Sequence, residues 1–113
     1  MNNIFLDDSI RRQDLIKADA PDVKQAFTSK EAIELIGEWP VDNLYLDHDL
    51  GEGGTGMDVV EWIIENRPKI GMILIHSLNL PAAHSMYLTL NDAGYLVVIA
   101  PFNRNFKIEN TPN

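Results

Sequence analysis

Short apolar runs alternate with longer stretches of helical periodicity along the chain, and each apolar run gives way to polar residues. Ile4 to Leu6 is an apolar run that stops at Asp7 and Asp8, which predicts a buried strand feeding a polar loop. Residues 9 to 18 suit a short helix that ends near Pro21. Val23 to Phe27 reads as a second strand, and Thr28 and Glu31 have capping-box spacing for a helix through about Glu38. Pro40 and Asp42 break that pattern before Leu44-Tyr45-Leu46, a third strand that runs into Asp47-His48-Asp49. Glu52 to Gly56 predicts a mobile glycine-rich loop, and Met57 to Asn66 has helical spacing through Val59, Val60, Ile63 and Ile64. Ile70 to Ile75 is a nearly continuous apolar strand ending at His76-Ser77. Pro81 opens a helix that closes near Gly94, and Tyr95 to Ile99 is a fifth strand.

Strands separated by helices indicate a parallel sheet covered on both faces, and the right-handed crossover rule reduces the topologies to a doubly wound sandwich. Ligands of such sheets lie outside the carboxyl ends of the strands. Those ends carry Asp7 and Asp8, then Asp47, His48 and Asp49, then His76 and Ser77, and finally Ala100-Pro101-Phe102. Asn103 to Asn113 lacks a strong apolar helix and contains Pro112, so a final helix is expected to be shortened or missing. In that case the sheet face near Tyr95, Val97 and Ile99 would be covered by a loop or by a second subunit in a homodimer.

Composition narrows the chemistry. With 113 residues, of which 45% are hydrophobic, the chain suits one domain over residues 1–113. It has no cysteine, which removes disulfides, thiolate metal sites and thiol nucleophiles. The start of the chain lacks a basic, long-apolar leader and no run approaches a membrane span, so a cytoplasmic protein is expected. A formal charge of -8 argues against an extended nucleic-acid surface. A small phosphorylated ligand would need a metal ion or local donors such as Arg11, Arg12, Arg104 and Lys107.

The acidic pair after strand one, Asp47 after strand three, Ser77 after strand four and Pro101-Phe102 after strand five resemble a response-regulator receiver domain over about residues 3 to 103. Ala100 departs from that pattern, since a signalling receiver has Lys before the proline, and His48 and His76 are also unusual for one. Phe5-Leu6-Asp7-Asp8, Thr28 to Ala32, Leu46 to Gly51, Gly56 and His76-Ser77-Leu78-Asn79 resemble more narrowly the cyclic-phosphate-processing receiver domain family. The resemblance implies a receiver-like (flavodoxin-like) three-layer α/β sandwich with a five-stranded parallel sheet of order 2-1-3-4-5. It also implies processing of cyclic phosphates in RNA repair or host conflict, with His76 as the supposed catalytic group. Where that family leads one to expect an arginine two residues beyond the acidic pair, this chain has Ile10, followed by Arg11 and Arg12.

Asp7, Asp8 and Asp47 offer the oxygen ligands that Mg2+ or Mn2+ prefers, because several carboxylates at one sheet edge repel without a cation. The same residues also suit helix caps and Asx turns. At Asp49 the receiver resemblance implies a backbone carbonyl directed to the metal, and its side chain is expected either to ligate through water or only to help the turn. Asp47 is in addition a candidate phosphoacceptor or catalytic group. His76 is expected at the pocket rim as a general acid or base, the alternative being a histidine bonded to a neighbouring loop. Ser77, Asn79 and Arg11 are the candidate phosphate binders, although Ser77 also suits a strand-end hydroxyl and Asn79 a helix cap. Three functions follow: a metal-dependent phosphoesterase acting on a cyclic or terminal phosphate of a nucleotide or RNA terminus, a non-catalytic module binding a phosphorylated ligand or protein partner, and a phosphoacceptor switch.

Overall fold

A computed structural model describes residues 1–103 and 106–108 of the chain. Five parallel strands, β1 (Asn3–Leu6), β2 (Lys24–Ala26), β3 (Val41–Leu46), β4 (Ile70–Ile75) and β5 (Val97–Ile99), lie in the order β2-β1-β3-β4-β5. Four helices connect them: α1 (Ile10–Asp19), α2 (Ser29–Glu38), α3 (Gly56–Asn66) and α4 (Leu80–Asp92). In register, Leu6 of β1 stands opposite both Ala26 and Leu46, and Leu46 stands opposite Ile75. The chain therefore leaves β1, β3 and β4 at one level, and the residues that follow share one end of the sheet.

Side-chain alternation divides the core into two layers. Ile4, Leu6, Leu44, Leu46, Ile73 and Ile75 face α2, α3 and α4, where Ile36, Val60, Ile63, Met86 and Leu90 complete the larger layer. Phe5 and Tyr45 face the other way, toward Ile16, Ala20, Val23 and Ile108. Each such side chain removed from water contributes about 1.5–3 kcal/mol before the entropy cost of ordering it.

Local chemistry starts each helix. Ser9 accepts from Arg12 N at 3.2 Å, Thr28 from Glu31 N at 3.1 Å, and Asn79 from Ala82 N at 3.3 Å. The segment expected to be a mobile loop holds a 3-10 turn at Gly51–Gly53 and a full capping box, in which Thr55 and Asp58 bond each other's backbone N–H. β5 is shorter than expected: the backbone N–H of Tyr95 donates to Leu90 O at 3.1 Å at the end of α4 rather than to a strand, and its hydroxyl donates to Pro68 O at 2.7 Å.

Among the described residues no helix follows β5. Phe102, Phe106 and Ile108 instead pack on the Phe5–Tyr45 side as irregular chain. The expected face is uncovered only in part, since Ile99 is 36% exposed. Val97 is buried beneath α4, whereas Leu96 and Val98, which alternation turns to the opposite face, are 63% and 40% exposed. No helix among the described residues is long and apolar enough to cross a membrane.

Candidate metal and phosphate site

Beyond the shared end of β1 and β3 the backbone delivers three carboxylates to one place. Asp7 is fully buried, Asp47 is 6% exposed and Asp8 faces solvent. One oxygen from each lies within 4.8 Å of the others, close enough for all three to hold one cation. Burial and then the charge of Asp7 push the Asp47 carboxyl up to about 6, against the opposing donation from His48 N at 2.8 Å. A divalent cation would relieve the same repulsion. The residues present fit such an ion, as an oxygen-rich set without sulfur.

Arg12 supplies the cation that faces these acids among the described residues. Its Nε donates to Asp7 Oδ2 at 2.8 Å, its Nη2 donates to Asp7 Oδ1 at 3.1 Å, and Nη2 stands 3.9 Å from Asp47 Oδ2. Arg11 is not in this position. A step of one residue turns a helical side chain by about 100°, and Arg11 instead lines a groove with Leu15, Ile16, Phe102 and Phe106 on the outer side of α1. Lys107 pairs with Asp19 at 3.6 Å, also away from the acids, and Arg104 is outside the described residues.

His76 is not at the rim. It is 2% exposed, with its ring stacked on Phe5 at 4.8 Å and an interplanar angle of 9°, and Phe106 meets it edge-on. Its Nε2 donates to Leu6 O at 3.1 Å, which leaves Nδ1 as the lone-pair nitrogen, 3.7 Å from Asp7 Oδ2. Burial lowers the imidazole to about 4, so the ring is neutral at pH 7. The rim position fails because the pleat at the end of β4 turns this side chain into the Phe5 layer.

Ser77 is buried, and its Oγ accepts from Asn79 N at 3.0 Å. Asn79 caps α4 and also extends its amide to Asp49 Oδ1 at 3.3 Å. Asp49 is held as well by His48 Nδ1 at 2.6 Å, and these two hydrogen bonds, His48 first, lower its carboxyl below the usual range. Its oxygens are not among the three clustered for a cation. His84 lies exposed on α4, as expected.

A cavity of about 180 Å³ lies among Arg12, Asp47, Asp49, His76, Ser77 and Leu78. The larger groove of about 490 Å³ along α2 is lined by Glu31, Glu34 and Glu38 without a cation, and would repel a phosphate.

Gln13 is the positioning residue that sequence reasoning missed. It is fully buried, and its Nε2 approaches Phe5 O at 3.1 Å, Asp7 O at 3.0 Å and Ala26 O at 2.8 Å, tying α1 to the ends of β1 and β2. Its only sequence signal is a polar residue three before Ile16 on the inward helical face. Gln13→Leu is expected to cost about 2 kcal/mol, because buried carbonyls lose their donor. Urea denaturation of the two proteins measures the difference.

The model of the cyclic-phosphate processing receiver domain matches residues 2–92. No curated protein matches the chain. Among solved structures, the signal receiver domain of a Vibrio parahaemolyticus protein is 21% identical with a TM-score of 0.70, covering 92% of this chain and 81% of its own. The response regulator domain of Thermotoga maritima CheB is 19% identical with a TM-score of 0.65, over 89% and 77%. A Burkholderia pseudomallei response regulator protein with a phosphorylated aspartic acid, calcium ion and citrate is 18% identical with a TM-score of 0.61, over 92% and 62%. At these identities the likeness shows the fold.

Proposed function

The chain belongs to the cyclic-phosphate processing receiver domain family, and from that premise we propose that its pocket holds Mg2+ or Mn2+ and processes a cyclic or terminal phosphate of a nucleotide or RNA terminus. The observation that carries the reading is the convergence of Asp7, Asp8 and Asp47 beside a neutral His76 and a cavity that Ser77 lines. The cation, when bound, supplies Lewis-acid polarisation of a phosphate or water oxygen. The chain's own residues do the rest. Ser77 and Asn79 offer a hydroxyl and an amide to phosphate oxygens, and Arg12 offers a guanidinium. With Nε2–H committed to Leu6 O, the proton-handling atom of His76 is Nδ1, which accepts a proton as a general base and returns it to the leaving oxygen.

A second reading, phosphorylation of Asp47, is favoured by its place at the end of β3 in a receiver fold. Ala100 weighs against it, since it puts no charge beside a phosphoryl group. Incubating the protein and Mn2+ with nucleoside cyclic phosphates, nucleotides and acetyl phosphate separates the readings. Turnover of a cyclic or terminal phosphate supports the first. A stable mass gain on Asp47 from acetyl phosphate, without turnover, replaces it with the second. Tight binding alone indicates a non-catalytic module.

Asp8→Asn is expected to weaken Mn2+ binding roughly tenfold or more, since ligand charge sets affinity for hard cations. Calorimetry on both proteins checks it. Equal affinities would remove Asp8 from the ligand set.

A further inference from the structure

Arg12 stands where three charged groups compete. Its fork takes both oxygens of Asp7, a carboxylate wholly removed from water. A buried carboxylate needs a cationic partner, because breaking such a pair leaves an uncompensated charge. A metal ion in the Asp7–Asp8–Asp47 cluster would bring a second cation to the same oxygens, within a few ångströms of the guanidinium. Both cannot hold Asp7 fully. The Arg12 side chain is one-third exposed, lines the 180 Å³ cavity and rests 5.7 Å from the centre of the Phe102 ring, so it has an open direction and a surface to pivot on. Ala100 brings no charge from the end of β5, which leaves Arg12, among the described residues, as the cation placed to meet an anion in that cavity.

We infer that Arg12 is an exchangeable counter-ion: it holds Asp7 in the metal-free protein and passes to a phosphate oxygen when a divalent cation takes Asp7. The inference rests on the cation-and-phosphate reading above and adds a linkage to it. Metal binding frees the phosphate donor, and by reciprocity phosphate captures the guanidinium that would otherwise compete with the metal. Metal and phosphate therefore bind with positive coupling that runs through Arg12.

The test is a set of Mn2+ titrations of the full chain, read by the paramagnetic resonance of the free ion, with and without inorganic phosphate. In the wild type, phosphate should tighten Mn2+ binding at least about fivefold. In Arg12→Gln, Mn2+ alone should bind at least as tightly as to the wild type, because a competing cation is gone, and the effect of phosphate should fall below about twofold. Should Arg12→Gln not fold, Arg12→Lys, which keeps the charge but loses the fork, should show the same reduced coupling. In 15N-edited spectra of the wild type, the Arg12 Nε–H signal should shift on adding Mg2+ alone and again on adding phosphate. An Nε–H signal that ignores Mg2+, or full coupling in the variant, overturns the exchange while leaving the metal site intact. No Mn2+ binding under either condition overturns both.

Discussion

Replacing His76 with Phe is expected to lower phosphate turnover by about two to four orders of magnitude, the usual contribution of a general acid or base, and to make the protein gain stability relative to the wild type in acid. Phe keeps an aromatic ring against Phe5 and removes both nitrogens, so the loss of chemistry is separated from the cavity that Ala would leave. In the folded chain His76 takes up a proton at about 4, against 6.5 for a solvated ring, because burial disfavours the imidazolium. Between those values the unfolded chain carries the additional proton, so stability is full above about 6.5 and falls as the pH drops toward 4. Asp47 acts in the opposite sense. Its folded value of about 6, against 3.8, means that the folded chain carries the additional proton, and stability rises as the pH falls through that window. Each contribution is on the order of 3 kcal/mol. In the metal-free wild type the two nearly cancel between about pH 6 and pH 4.

His76→Phe leaves only the Asp47 contribution and should gain stability relative to the wild type as the solution is acidified. Asp47→Asn leaves only the His76 contribution and should lose it. Urea midpoints compared across this range give the differences, in which the titration of all other groups drops out. A His76→Phe profile parallel to that of the wild type would mean that the ring is not held neutral by the fold. Unchanged turnover in that variant would leave the chemistry to the acids and their cation. His84→Phe, on the exposed face of α4, should leave turnover unchanged.

Gly56→Ala should destabilise the protein by about 3 kcal/mol, at the upper end for an overpacked site. A Cβ at Gly56 would overlap the backbone carbonyl of Asp47 and stand 2.7 Å from Met86 Cε, and the backbone is pinned there by Gly56 N donating to His48 O at 2.9 Å. Relief requires α3 to move away from the end of β3, which displaces Asp47 from the other two acids. Mn2+ affinity should therefore fall with stability. Gly94→Ala is the comparison: nothing lies within 4 Å of the added carbon, and only the φ of 93° opposes it, at a cost of about 1–2 kcal/mol. Thermal and urea denaturation of both variants give the ranking. Equal losses would mean that α3 yields freely at its first turn.

The residues that act through local contrast were readable in the chain itself. Ile4 to Leu6 followed by Asp7 and Asp8, and Leu44 to Leu46 followed by Asp47, place a strand and then its polar exit, because a buried run must end where charged groups begin. Thr28 with Glu31 and Asn79 before Pro81 mark helix starts for a similar reason, since the cap bonds span only a few residues. With the parallel crossover rule, these signals give a doubly wound parallel sheet whose strand ends carry Asp7, Asp8 and Asp47, while the order that makes β1 and β3 neighbours was implied by the family resemblance.

What an imidazole or guanidinium does there was decided by tertiary packing. Arg11 and Arg12 are equivalent in sequence, and the phase of α1 against β1 turns one toward the acids and the other toward Phe106. His76 reads as a rim residue until Phe5, Phe102 and Phe106 close around it, the last two lying outside any helix. Gln13 has no motif at all; its role exists only because three carbonyls from β1, β2 and the Asp7 loop end around its amide. Burial and pairing depend on residues distant in sequence arriving at one point, so the chain by itself determined which carboxylates meet, and only the assembled fold decided which cation and which ring nitrogen face them.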